Sequence, residues 1–293
     1  MRGAQGRPVL RDLERAKLGL PLALFFCLLF FFVGFFGSMF VSQDFLNFGR
    51  VRRVSLMELS EVDVGAVEPA TRYWASREAE SGIPFQILSW RPRAVYFPKF
   101  ATLEQCLSII KNSRSKLSPS TLALRDGETA ENTKGIRTST GAFISKSDDS
   151  SGTLNELEEK IARVTMIPRS QGEDFYILRY QIGQRYASHY DAFSPAEYGP
   201  QKSQRIATFL IYLSDVEEGG ETMFPYENGS NMDIEYDYFK CIGLTVKPSR
   251  GDGLLFYSVF TNGTIDLTSL HGSCPVIKGE KWVATKWLRD QTE

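Results

Sequence analysis

Hydrophobic and polar positions divide the chain into stretches of different character. From Leu18 to Val41 no residue is charged, and eight phenylalanines fall between Phe25 and Phe40. A helix of that length would be about 36 Å long, enough to cross a hydrocarbon core of about 30 Å. The apolar region of a secretory signal peptide is only about 7–15 residues, so the pattern predicts an uncleaved transmembrane anchor over 18–41. Residues 42–84 mix charges, Ser and Ala without a sustained period and read as a stem. A folded domain is predicted to begin near Phe85 and to occupy residues 85–293.

Within that domain the period changes from helical to strand-like. Thr102 followed by Gln105 is a capping-box pattern, with Leu103, Cys106, Leu107 and Ile110 at helical spacing behind it. Thr153 and Glu156 repeat the box ahead of Leu154, Leu157, Ile161 and Val164, which predicts a second helix beginning after Thr153. Residues 118–152, rich in Ser, Thr, Gly and Asp, read as a long loop, and long loops in compact domains are often functional. Ile87-Leu88, Ala94–Phe97, Phe175–Gln181, Ile206–Leu213, Leu244–Val246, Leu254–Tyr257 and Trp282–Trp287 read as strands between Gly and Pro punctuation. Helices followed by many short strands predict an α+β domain on an antiparallel sandwich or jelly roll.

Charge orients this plan. Residues 1–17 carry Arg2, Arg7, Arg11, Arg15 and Lys17 against Asp12 and Glu14, whereas the flank after the anchor has Arg50, Arg52 and Arg53. The bias favours a cytosolic tail over 1–17 and a lumenal remainder, as in a single-pass type II protein of the endoplasmic reticulum or Golgi membrane. The sequons at Asn228 and Asn262 agree, because they are glycosylated only in the secretory lumen. With 34 Lys+Arg against 35 Asp+Glu the chain lacks the basic field of a nucleic-acid binder. Cys27 falls in the anchor, leaving Cys106, Cys241 and Cys274; no Cys-x-x-Cys motif suggests a zinc ribbon or a dithiol redox site.

The chain has two histidines, His189 and His271. Strand geometry over Ser188–Asp191 puts His189 and Asp191 on one face, where an imidazole and a carboxylate can bind the same metal ion. An antiparallel fold-back could bring His271 beside them. Two imidazoles and one carboxylate on one face of a metal leave the opposite positions open, a set suited to oxygen-activating non-haem Fe(II). Lys281, ten residues after His271, could anchor the distal carboxylate of a 2-oxo acid. A catalytically dead jelly roll that binds peptides and a zinc hydrolase using the same three ligands are the competing readings.

The run Tyr180-Gln-Ile-Gly-Gln-Arg-Tyr-Ala-Ser-His189-Tyr-Asp191, then Gly219-Gly220-Glu221-Thr222-x-Phe224-Pro225, Leu270-His271-Gly272 and Lys281-Trp282-x-x-Thr285-Lys286-Trp287 resembles the plant-type prolyl 4-hydroxylases. The resemblance spans about residues 85–293, with an oxygenase core over about 172–290. It implies a double-stranded β-helix, Fe(II) on His189, Asp191 and His271, and 2-oxoglutarate held by Lys281 with Tyr180 and Thr222. It also implies peptide contacts at Arg137, Ser139, Glu173 and Arg205, and a site-lining aromatic at Trp287. Arg289 departs from the family, where His is common, and bears on peptide preference. The implied reaction is 4-hydroxylation of peptidyl proline, with 2-oxoglutarate decarboxylated to succinate and ascorbate as reductant. The implied substrates are proline-rich secretory glycoproteins of the extensin and arabinogalactan type.

A free thiolate at Cys274, three residues from His271, would be an oxidisable ligand beside a redox-active iron. That predicts a disulfide to Cys241, which opens a strand-like run, while Cys106 belongs to a helix's apolar face.

Overall fold

Alternation of apolar side chains along the strands explains the layering. In the computed structural model, which describes residues 82–292, β1 (Gln86–Trp90) and β2 (Arg93–Phe97) precede helix α1 (Leu103–Ser113). Then come β3 (Ser118–Pro119), β4 (Thr140–Ile144), helix α2 (Thr153–Thr165), β5 (Phe175–Tyr180), β6 (Tyr186–His189) and β7 (Arg205–Tyr212). The remainder is β8 (Glu218–Gly219), β9 (Thr222–Phe224), β10 (Leu244–Val246), β11 (Gly253–Tyr257), β12 (His271–Ser273), β13 (Val276–Lys278) and β14 (Lys281–Arg289). The predicted tail, the anchor over 18–41 and the stem through residue 81 lie outside the described residues. Among the described residues no helix is long and apolar enough to cross a membrane.

A major sheet has the order β1-β2-β11-β7-β14-β5-β4-β3, and a minor sheet the order β10-β9-β12-β6. The pairings within both are antiparallel. Both faces of the major sheet are covered. Ile177, Ile211, Leu255 and Ala284 pack with Cys106 and Ile109 of α1 and Leu154, Leu157 and Ile161 of α2. Their strand neighbours Leu178, Tyr212, Leu254 and Val283 point the other way, into a second cluster with Phe224 and Val246 of the minor sheet. The near-continuous burial of β5, β7 and β14, the polar residues of β14 included, follows from this double coverage. The two sheets form the jelly-roll core, and the polar cavity described below opens between them. Burial pushes the Cys106 thiol up to about 11, consistent with a packing role rather than a nucleophile.

Local structure departs from the sequence pattern at two places. Thr102 does form the capping box with Gln105 at the start of α1. Thr153, however, is the first residue of α2, not its cap: Gly152 stands at the N-cap with φ 75° and no side chain to offer. The acceptor comes from further back. Asp149 takes the amide protons of Leu154 at 2.7 Å and Ser151 at 3.1 Å, so a carboxylate sits at the positive end of the helix. Asp149→Ala is expected to destabilise the domain by about 1–2 kcal/mol, the usual loss for a cap. Urea unfolding midpoints would show it, and an unchanged midpoint would return the cap to Thr153.

The second departure is the 118–152 segment. It contains β4, which pairs with β5 through Thr140↔Arg179 to Ile144↔Phe175 and so belongs to the major sheet. Its Ser and Thr content hides the strand. Gly141 is required there because a Cβ would come within 2.6 Å of the Tyr176 ring.

Candidate active site

The minor sheet places the two histidines of the candidate ligand set. β6 and β12 run antiparallel with His271 directly opposite His189, and the two imidazole centroids are 4.3 Å apart. β6 ends at His189, so Asp191 lies in a bend rather than on the strand face expected for it. The bend brings its carboxylate under both rings: His189 Nε2 is 3.5 Å from Asp191 Oδ1, and His271 Nε2 is 3.5 Å from Oδ2. The opposite ring nitrogens are engaged by the backbone. His189 Nδ1 lies 2.9 Å from the Ala187 carbonyl, and His271 Nδ1 lies 3.0 Å from that of Ser269. In the neutral rings Nδ1 therefore donates, which leaves Nε2 with a bare lone pair.

Electrostatics act on two members of the set. Burial pushes His271 down to about 4, with Asp191 opposing and His189 reinforcing the shift. Burial would raise the Asp191 carboxyl, but His271, His189 and Arg205 together hold it far below the usual carboxylate range. Thr208 Oγ1 also donates to Asp191 Oδ2 at 2.6 Å. The donor set, with ligand atoms all within 4.8 Å of one another, fits Fe(II).

The triad opens on a cavity lined in part by Tyr180, Thr222, Ser273 and Lys281. Tyr180 and Lys281 face each other across the β5–β14 ladder. Lys281 is 2% exposed, and no carboxylate neutralises it within ion-pair distance among the described residues. Its Nζ donates to Ser273 Oγ at 2.8 Å. Burial lowers its pKa to about 7, only partly offset by Glu221. Tyr212 donates to Thr222 Oγ1 at 2.8 Å, which orients that hydroxyl. A buried amine beside the Ser273, Tyr180 and Thr222 hydroxyls, in the same cavity as the triad, fits the far carboxylate of a dicarboxylic oxo acid.

Comparison with known proteins agrees with this geometry. The profile of the 2OG-Fe(II) oxygenase superfamily matches residues 175–289. The chain is 62% identical over 285 residues to probable prolyl 4-hydroxylase 9 of Arabidopsis thaliana, covering 97% of this chain and 98% of that protein. The chain belongs to the prolyl 4-hydroxylase family. It is accordingly a 2-oxoglutarate-dependent oxygenase that uses Fe(II). Prolyl 4-hydroxylase 13 of the same plant is 52% identical, with 95% of this chain and 97% of that protein covered. Among solved structures, a viral collagen prolyl hydroxylase from Paramecium Bursaria Chlorella virus-1 aligns with TM-score 0.47 and 24% identity. The alignment covers 67% of this chain and 95% of that one.

The residues expected to meet peptide fall into two groups. Arg137 and Trp287 line the cavity. The Arg137 guanidinium lies over the rings of Tyr186, at 4.5 Å, and Tyr176, at 5.0 Å. Ser139 is buried beneath it, bonded to Ser120 at 3.0 Å. Glu173 and Arg205 do not line the cavity but pair with each other in a two-pronged bond of 2.6 and 2.8 Å, with the guanidinium 3.8 Å over Trp287. Arg289 joins them, donating to the same Glu173 oxygen at 2.8 Å.

Sequence reasoning missed Ser273 and Tyr186. Ser273 had a signal, since it follows His271 by two residues on a strand and so shares its face. Tyr186 had none: its ring stacks on His189 at 3.6 Å, although alternation alone puts a residue three positions away on the opposite face. Gly272 between the two minor-sheet contacts is also explained by packing, because a Cβ would meet Met223 at 2.9 Å and the Tyr186 carbonyl at 3.0 Å. Cys241 and Cys274 form a disulfide that ties the segment before β10 to the one after β12, and Cys106 stays free and buried. Asn228 and Asn262 are exposed.

Proposed function

We propose that the chain hydroxylates C4 of peptidyl proline in proline-rich glycoproteins of the secretory pathway, of the extensin and arabinogalactan type. The observation that carries the reading is the pairing of the His189–Asp191–His271 triad with a buried Lys281 in one cavity. Bound Fe(II) and 2-oxoglutarate supply the oxidising chemistry, in which O2 is consumed and the oxo acid becomes succinate and CO2, with ascorbate keeping the metal reduced.

The chain's own groups do the remaining work. His189, Asp191 and His271 hold the metal on one side. Lys281 and Thr222, with Tyr180 beside them, anchor and orient the oxo acid. The apolar walls Leu178, Leu210 and Val283 keep water from its reacting end. Arg137 and Trp287 at the cavity present a cation and an aromatic face to the peptide. Proline rings pack well on aromatic faces in the extended polyproline conformation.

The charge-free segment over 18–41 and the basic tail before it support a type II anchor in the endoplasmic reticulum or Golgi membrane. Surface placement of Asn228 and Asn262 is compatible with glycosylation there.

The test is mass spectrometry of poly-proline and Ser-Pro-repeat peptides incubated with the protein, Fe(II), 2-oxoglutarate and ascorbate. The expected product carries one added oxygen per modified proline, located at C4, with succinate formed in step. Succinate without peptide oxidation would sink the substrate class, and absence of both would sink the activity.

A further inference from the structure

The sheet joins the ligand-bearing strands only lightly. β6 and β12 are registered at His271↔His189 and Ser273↔Tyr186, with an irregularity between the two pairs. Asp191 lies outside the ladder altogether. The spacing between the His189–Asp191 segment and His271 must therefore be set by other contacts.

One set connects them directly. Tyr190 stands between the two ligands His189 and Asp191, and its hydroxyl donates to the Leu267 carbonyl at 3.1 Å. Leu267 opens a single 3₁₀ turn, Leu267–Ser269, that leads into His271. Asp266 caps that turn: its Oδ1 accepts from Thr268 N at 2.9 Å and Thr268 Oγ1 at 2.6 Å. Its carbonyl accepts from Ser269 N at 2.9 Å, and the Ser269 carbonyl in turn takes the proton of His271 Nδ1 at 3.0 Å. The turn is itself anchored, because Asp266 N donates to the Ser258 carbonyl at 2.9 Å.

Asp266 is an expensive residue to place there. It is 1% exposed, and its Oδ2 is buried without a hydrogen-bond partner, as are the hydroxyls of Ser258 and Ser269. A buried side chain with one oxygen idle opposes folding, so the acceptor it gives the turn at Oδ1 is held at a cost in stability.

We propose that Tyr190 and Asp266 form a clamp that sets the separation of the His189–Asp191 pair from His271, and with it the affinity of the triad for a divalent metal. Both are positioning residues: Tyr190 acts through the turn, and Asp266 through the carbonyl that fixes the His271 ring and its tautomer. The inference rests on the metal-binding reading of the triad. Outer contacts that orient a ligating imidazole commonly change metal affinity about 10–100-fold.

Mn(II), a redox-inert probe, tests the clamp by loss of its free-ion EPR signal on binding to the full chain with 2-oxoglutarate present. Tyr190→Phe keeps the ring and loses only the hydroxyl; it is expected to weaken Mn(II) binding about tenfold while the metal-free unfolding temperature stays within about 2 °C. Asp266→Ala should weaken binding by about 10–100-fold, and Asp266→Asn, whose amide oxygen can still accept from Thr268, should restore most of it. The double variant Tyr190→Phe/Asp266→Ala should lose less than the product of the two single losses, because both act on one turn. A purely structural role would move the unfolding temperature and leave Mn(II) affinity alone. Unchanged Mn(II) affinity in Tyr190→Phe overturns the clamp, and that variant decides alone if Asp266→Ala does not fold. Failure of the unsubstituted chain to bind Mn(II) would be a different result, overturning the metal reading of the triad and the clamp together.

Discussion

His189→Ala, Asp191→Ala and His271→Ala will each cut peptide hydroxylation by on the order of 10³-fold or more, because each removes one of three donors, a larger loss than the 10–100-fold of an outer contact. The metal-free variants should remain folded. None of the three side chains belongs to the apolar clusters. The pH response separates His271 from the others. Its folded pKa of about 4 lies below its ordinary 6.5, so the folded metal-free protein loses stability as the pH falls from about 6.5 toward 4. His271→Ala should flatten that part of the profile. Peptide turnover at saturating Fe(II), together with unfolding temperatures across that pH range, checks both halves. Near-normal turnover in any one variant would remove that residue from the ligand set.

Lys281 gives the second large effect, in two opposite directions. Lowering its pKa from 10.5 to about 7 by burial makes the empty pocket costly, by roughly 4–5 kcal/mol at neutral pH on the conversion of 1.36 kcal/mol per pKa unit. Lys281→Met keeps the length of the chain and removes the charge. It should raise metal-free stability by about 2–4 kcal/mol at pH 7, or about 5 °C or more in unfolding temperature. The gain should shrink as pH rises from about 7 and vanish only above 10.5, where the lysine is neutral in both folded and unfolded protein.

In the role proposed for Lys281, the same change removes the partner of the oxo acid's far carboxylate. A charge-assisted bond of about 1.5–3 kcal/mol corresponds to at least a tenfold rise in the 2-oxoglutarate concentration needed for half-maximal rate. In the unsubstituted protein that requirement should also rise above pH 7, as Lys281 loses its proton before the oxo acid binds. A variant that is stabilised but keeps its 2-oxoglutarate requirement would leave Lys281 buried for some other reason. A variant that loses both would mean that packing, not charge, dominates at this position.

Arg289 illustrates how a local sequence change spreads through a site. Glu173 is shared by two arginines, one of which, Arg205, lies over the Trp287 ring. A peptide approaching there meets Arg205 already committed to Glu173 and to the Trp287 face.

Local sequence carried a large part of the fold and of the candidate site, because much of both is written in short-range patterns. The strands β5 and β7, buried on both faces, are mainly apolar runs, and the start of α1 is a four-residue box whose two partners are both present. His189 with Asp191, His271 and Lys281 stood out because two histidines in 293 residues leave few ways to build a metal site. Other features were decided only by tertiary structure. That β4 is a strand depends on β5 lying beside it, since its own composition is that of a loop. That Asp149 caps α2 depends on a turn at Gly152, which carries no side chain to signal it. Asp191 meets the two imidazoles through a bend and not through strand alternation, and Ser273 reaches Lys281 across two sheets. Such contacts join residues far apart in the chain, leave no periodic trace, and exist only once the two sheets have closed on each other.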